Sequence, residues 1–145
     1  LIGRKTASTQ GAGLKIFLGM VEEFVQRHEG DATLAEFVAP LKAKAAEWAL
    51  LTTAILQRAA KNPEELGAAS TDYLFYSGYV VLAYWWARSV AAANDSSQSA
   101  AFKQAKLETA RFYYARMLPR TLGHKAAIET GAEPLMAMDA ERFGD

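Results

Sequence analysis

The sequence contains no cysteine. This absence excludes disulfide bonds, thiolate metal sites, iron–sulfur clusters and thiol nucleophiles, and it is typical of a reducing compartment. The chain also lacks an excess of one charge, because 16 lysines and arginines balance 16 aspartates and glutamates. Binding to nucleic-acid phosphates normally needs a basic excess on one face, so we expect no nucleic-acid partner.

Histidine is scarce, and the motifs of common active sites are missing. A di-iron centre in a helical bundle needs a glutamate three residues before its histidine ligands. Val25 and Thr121 occupy these positions before His28 and His124. The sequence has no Gly-x-Ser-x-Gly nucleophile motif and no glycine-rich phosphate loop after a predicted strand. We therefore predict no catalytic, cofactor-binding or metal-binding residue in this chain.

His124 has two interpretations. It lies close to Arg120 and Lys125 on a predicted helix, so it could belong to an anion site or act as a general base. The ordinary interpretation is a solvated helix face. We favour the second interpretation, because no acidic residue is clearly placed in the sequence to orient the ring.

Proline is also rare, with only four residues at positions 40, 63, 119 and 134, whereas alanine is abundant. Apolar residues recur with a period close to 3.6, and the alternation typical of strands is missing. We therefore predict an all-α fold. Four long helices joined by short loops most simply form an up-down-up-down antiparallel four-helix bundle, with a short C-terminal tail packed against it.

Caps, glycines and prolines set the boundaries of the predicted helices. Pro40 should kink or break the second helix, and Pro119 should bend the fourth. The predicted helical ranges are 12–29, then a second helix from either 31 or 33 to 61, a short turn at 63–66, and 70–93, 98–117 and 122–130. The tail should pack on the bundle through its large apolar side chains, which are Leu135, Met136, Met138 and Phe143.

The third predicted helix contains a run without charge over residues 73–87. At 1.5 Å per residue this run spans about 22 Å, which is too short to cross a hydrocarbon core of about 30 Å. We expect no membrane span and, since no signal peptide is visible, a cytoplasmic protein. The helix has seven aromatic rings, more than it can bury within its own bundle. Some should therefore face another domain or subunit, and the candidates are Tyr79, Trp85 and Trp86.

The fourth predicted helix should contribute a core ring, and its arginines Arg111 and Arg116 each have two interpretations. Phe112 is expected in the core, where its replacement by alanine would cost about 3–5 kcal/mol. Each arginine is expected either to pair with a facing glutamate or to lie along the surface. The glutamates that could face them are Glu22, Glu23 and Glu47.

The first residues indicate that another domain precedes this one. The chain opens on Leu1 without an initiator methionine, and residues 6–13 are small and polar. This composition is typical of a linker. We predict that residues 1–13 are a linker from a preceding domain and that residues 14–145 form the helical domain.

Two segments resemble one family. Residues 110–121 read Ala-Arg-Phe-Tyr-Tyr-Ala-Arg-Met-Leu-Pro-Arg-Thr, and residues 131–138 read Gly-Ala-Glu-Pro-Leu-Met-Ala-Met, with Phe143 beyond them. Both are similar to the C-terminal helical domain of acyl-CoA dehydrogenases, in a class that includes 3-methylmercaptopropionyl-CoA dehydrogenase-like enzymes. Residues 1–5 are similar to the end of the helix that joins the flavin-binding core to this domain.

The resemblance implies that the parent enzyme uses FAD to oxidise an acyl-CoA thioester at Cα–Cβ, within fatty acid metabolism. A glutamate base in a Tyr-Glu-Gly-Thr-like stretch, which this family has before the position of Leu1, would take the α-proton while a hydride passes to the flavin. FAD and acyl-CoA would therefore bind outside this chain. The chain itself would be an accessory domain that packs on the catalytic core and on a second subunit of a homodimer, and that bounds the acyl pocket.

Two other hypotheses stay open. The chain could be a free-standing helical bundle that binds a partner or an apolar ligand through the rings of residues 73–86. It could also be a helical protein that associates with a membrane surface.

Overall fold

The computed structural model describes residues 1–138 and 141–142, and this part of the chain is helical without a strand. The all-α prediction is confirmed. The simple up-down-up-down bundle of four helices is not confirmed, because the described residues form six α-helices. These are α1 (Ala12–Arg27), α2 (Ala35–Ala59), α3 (Glu64–Asp95), α4 (Ala100–Phe112), α5 (Thr121–Thr130) and α6 (Glu133–Met136).

The long helix α3 is the centre of the fold, with α2, α4, α5 and an N-terminal helical segment, Ile2–Ala7, packed around it. Two groups of buried side chains form the core. The first joins α1, the beginning of α2, the second half of α3 and α4. The second joins the N-terminal segment, the end of α2, the first half of α3 and α5. None of the helices in the described ranges combines the length and apolarity that a membrane crossing needs.

The predicted break at Pro40 and the predicted start of the third helix near residue 70 are wrong. Helix α2 continues through Pro40. Proline has no N–H, so the Glu36 carbonyl one turn earlier loses its helical hydrogen bond. Because Pro40 is exposed, water can donate to this carbonyl instead. Helix α3 begins at Glu64 and not near residue 70. The side chain of Asn62 caps it by accepting a hydrogen bond of 3.1 Å from the Glu64 N–H, and the Ser70 hydroxyl donates to the Leu66 carbonyl within the helix.

The α-helix is interrupted around Pro119, where a bend was predicted. Helix α4 ends at Phe112, and a π-helical turn (Tyr113–Met117) and a short 3₁₀ turn (Leu118–Arg120) lead into α5. Gly131 then ends α5 with a φ of 78°, a conformation that favours glycine. The carboxylate of Glu65 fixes this end, because it accepts from the Ala132 N–H at 3.1 Å and from Arg58 Nε at 2.8 Å.

One residue of the predicted linker belongs to the core, and the C-terminal tail differs from its prediction. Ile2, in the expected linker, is completely buried in the second core group, because an apolar side chain in an otherwise polar segment gains most by packing inward. The division into a linker and a domain stays a prediction. At the other end, Leu135, Met136 and Met138 are exposed and do not pack on the bundle as expected. Phe143 lies outside the described residues.

Candidate interface on α3

One side of α3 is apolar and exposed, although this helix is the centre of the fold. Leu74, Gly78, Leu82 and Trp85 follow one another at intervals of four, four and three residues, which places them on one side of the helix. Leu82 is 49% exposed and Trp85 is 47% exposed. We call these four residues the α3 face. It lies entirely within the charge-free run 73–87.

Trp85 is held in place on the α3 face by its neighbours. The Tyr84 ring meets it edge-on, with 5.4 Å between ring centroids. The Arg88 guanidinium lies over the Trp85 ring at 5.0 Å, the geometry of a cation–π contact. Trp85 is thus a large apolar side chain that is already oriented and half-open to solvent, as interface hot spots are.

Tyr79 and Trp86, the other two predicted interface residues, contact the domain itself. Trp86 packs near Tyr113 at 6.5 Å between ring centroids, and the Tyr79 carbonyl accepts a hydrogen bond of 3.0 Å from the Tyr113 hydroxyl. Both are partly buried. Trp86 is less exposed than Trp85 because adjacent residues of a helix lie about 100° apart around its axis, so the two rings face different surroundings.

An apolar groove of about 380 Å³ borders the α3 face. We call it the N-terminal groove, because it lies between the N-terminal segment, α1 and α3, with Trp48 of α2 also in its wall. The α1 residues Ile16 and Met20 are exposed as well. The apolar surface of the protein therefore includes part of α1 in addition to the α3 face.

His124 has the acidic partner that sequence reasoning did not find. Its Nδ1 lies 2.8 Å from Asp72 Oδ1, and its ring stacks on that of Phe75 with centroids 5.3 Å apart. The pair joins α5 to α3 across 52 positions of sequence, a separation that no local motif reveals. In the described part of the chain no group of three or more acidic or histidine side chains is placed to hold a metal ion. The contact acts as a tether between helices.

The carboxylate of Glu47 accepts hydrogen bonds from three side chains. Lys44 Nζ donates to it at 2.6 Å, the Tyr76 hydroxyl at 2.6 Å and Lys125 Nζ at 3.0 Å. Burial acts to raise the pKa of Glu47, but the hydrogen bonds from Lys44, Tyr76 and Lys125 outweigh it and hold the pKa at about 2. Burial, together with the bond to Glu47, raises the pKa of Tyr76. This cluster connects α2, α3 and α5 and stabilises their packing.

A family model described as "Acetyl-CoA dehydrogenase C-terminal like" matches residues 17–139. The match includes five of the six helices in full, together with most of α1. No curated protein matches the chain.

Proposed function

The chain belongs to the family of acetyl-CoA dehydrogenase C-terminal-like domains, and we propose that it is the accessory C-terminal domain of an FAD-dependent acyl-CoA dehydrogenase. In this proposal the flavin and the acyl-CoA bind to a catalytic region of the same polypeptide, in a cytoplasmic enzyme of fatty acid metabolism. The 3-methylmercaptopropionyl-CoA dehydrogenase-like class is the proposed subclass. The domain contributes packing, contacts in a homodimer and part of the boundary of the acyl pocket.

The observation that carries this proposal is the α3 face. A central helix is normally covered on all sides, and a continuous exposed apolar surface usually marks an interaction site. From Leu74 to Trp85 the face extends about 16 Å along the helix axis, and a partner that covers it would remove apolar surface from water over three turns. We propose that the catalytic region of the parent enzyme packs here, with Trp85 at the centre of the contact.

Arg88 adds a polar feature at the end of the α3 face. Within the described residues it forms no ion pair, and its guanidinium is fixed over Trp85. A covered guanidinium needs an opposite charge. The proposal therefore places an acidic side chain of the catalytic region beside Arg88.

A charge placed in the α3 face should detach the domain from the catalytic region. In the full polypeptide, Leu82→Glu would bury a carboxylate without a partner, a severe penalty in an apolar contact. We expect proteolytic cleavage at the junction before residue 1 to become faster by about tenfold or more, while the flavin content of the catalytic region stays unchanged. Limited proteolysis followed by mass spectrometry measures both fragments.

Leu50→Glu is the matched control, because Leu50 is a leucine that is 71% exposed on a different helix, α2. It should be cleaved at the wild-type rate. Both isolated variants should keep the helical circular dichroism of the wild type, since both side chains are exposed in the domain alone. Equal cleavage of Leu82→Glu, Leu50→Glu and wild type would rule out docking through the α3 face.

A second candidate function is a free-standing bundle that binds an apolar ligand, and the N-terminal groove favours it. The coding sequence upstream of Leu1 distinguishes the two. Flavin-enzyme domains in the same reading frame support the accessory domain, and a start codon immediately before Leu1 supports the free-standing bundle.

A further inference from the structure

The N-terminal groove is a space that the domain leaves open. Gly13 of α1 and Gly78 of α3 line it, and a Cβ atom built on either glycine meets no atom within 4 Å. Its volume of about 380 Å³ lies in the range of small-molecule sites, roughly 300–1,000 Å³. Its apolar wall consists of Leu1, Leu14, Phe17, Trp48, Leu74 and Val81.

The polar groups of this groove are donors and not carboxylates. Lys5 is the one charged side chain in the lining, and it forms no ion pair with any described residue. Trp48 is almost completely buried, and its indole Nε1 has no acceptor in the described part of the chain. The Ser77 hydroxyl, by contrast, already donates to the Tyr73 carbonyl at 2.6 Å. The exposed Lys5 is therefore the donor that an anionic ligand in the groove can reach.

We propose that the N-terminal groove binds a small amphipathic molecule, an alkyl carboxylate, with its chain against Phe17, Trp48 and Val81 and its head group beside Lys5. The apolar wall gains by removing an alkyl chain from water. The unpaired Lys5 ammonium selects a negative head group, because it is a compact point charge beside a mostly apolar wall. The groove shares Leu74 and Gly78 with the α3 face, so binding is tested on the isolated chain, in which that face is uncovered.

Filling the groove tests the site. The 145-residue chain is prepared with an acetylated N-terminus, so that Lys5 is the only cation in the lining of the groove. Decanoate, kept below its critical micelle concentration, is then titrated into the protein in a calorimeter. We expect saturable one-to-one binding. Gly78→Leu, which places a side chain in the open space, should weaken it at least about tenfold. Gly19→Leu on α1 is the matched control, since a Cβ there also meets nothing within 4 Å and Gly19 does not line the groove.

The head group is tested separately. Lys5→Met should weaken the binding of decanoate several-fold and leave the binding of decanol unchanged. Lys15→Met, the control, should change the affinity for neither ligand. Circular dichroism and thermal unfolding of each variant confirm that it is folded before titration. Three results would each overturn the proposal: no saturable binding of decanoate by the wild-type chain, equal binding by Gly78→Leu and Gly19→Leu, or equal affinity of the wild type for decanoate and decanol.

Discussion

Replacing Phe37 by alanine should lower the free energy of unfolding by about 3–5 kcal/mol. Phe37 is 1% exposed in the first core group, and its ring meets that of Tyr114 edge-on at 5.0 Å. Truncation removes these contacts and leaves a cavity between α2 and the π-helical turn, and the well-packed surroundings relax only partly into it. Urea unfolding followed by far-UV circular dichroism measures the change.

Phe112→Ala is the matched control, with the same change of side chain at a position that is 60% exposed. It should cost less than about 1 kcal/mol, the range for surface positions. The sequence-based expectation of 3–5 kcal/mol for this residue is wrong, since the ring lies outside the core. Similar losses for Phe37→Ala and Phe112→Ala would contradict the packing described here.

Acid should destabilise the wild type more than a Glu47→Gln variant. The folded-state pKa of Glu47 is lowered to about 2 from an ordinary value of 4.5, so its carboxylate protonates more easily in the unfolded chain. The contribution of the Glu47 carboxylate to the free energy of unfolding is therefore complete above pH 4.5 and is lost as the pH falls toward 2. Lowering the pKa of Glu47 from 4.5 to about 2 corresponds to roughly 3 kcal/mol in the free energy of unfolding.

Thermal and urea unfolding at pH 6 and at pH 2.5 measure this dependence. Glu47→Gln should be less stable than the wild type at pH 6, and the gap should narrow at pH 2.5. Other carboxylates also titrate in this range, so the difference between the two proteins isolates Glu47. Glu22→Gln serves as the control because Glu22 is exposed on α1, and it should follow the wild type. A gap between wild type and Glu47→Gln that does not change with pH would refute the assignment.

The sequence predicted best those features that depend on local chemistry. Helix α1 begins at the predicted Ala12 and ends within two residues of its predicted end, because the apolar period and Gly30 both act within a few residues of the boundary. The charge-free run identified α3 as the helix with the candidate interface. Of the three predicted residues Trp85 is the exposed one, at 47%, whereas the prediction missed Leu74, Phe75 and Leu82, which are exposed to a similar degree.

Other features depend on which helices become neighbours, and the sequence does not specify this. Arg111 does pair with a glutamate of another helix, but with Glu36 at 2.8 Å and not with the glutamates considered. The beginning of α2 faces α4. Helix periodicity shows which side of a helix is buried but not which other helix packs against it. The Asp72–His124 contact was missed for the same reason.

Phe112 was misplaced because the wrong side of α4 was assigned to the core. The inward side follows the ordinary helical period through Leu107, Ala110 and Tyr113. Phe112 lies on a different side, in one stripe with Phe102, which is also exposed. Both sides carry large apolar side chains, so the period alone does not show which of them faces α3.

Solvent labelling of Trp85 tests the central claim most directly. The isolated 145-residue chain and the full polypeptide are exposed to hydroxyl radicals, the oxidation of Trp85 is measured by mass spectrometry, and bound flavin is measured in the same samples. If this chain is an accessory domain that docks through the α3 face, Trp85 is oxidised in the isolated chain and protected in the full polypeptide, and flavin is found only in the latter. Equal oxidation of Trp85 in both samples, or stoichiometric flavin on the isolated chain, would contradict the account.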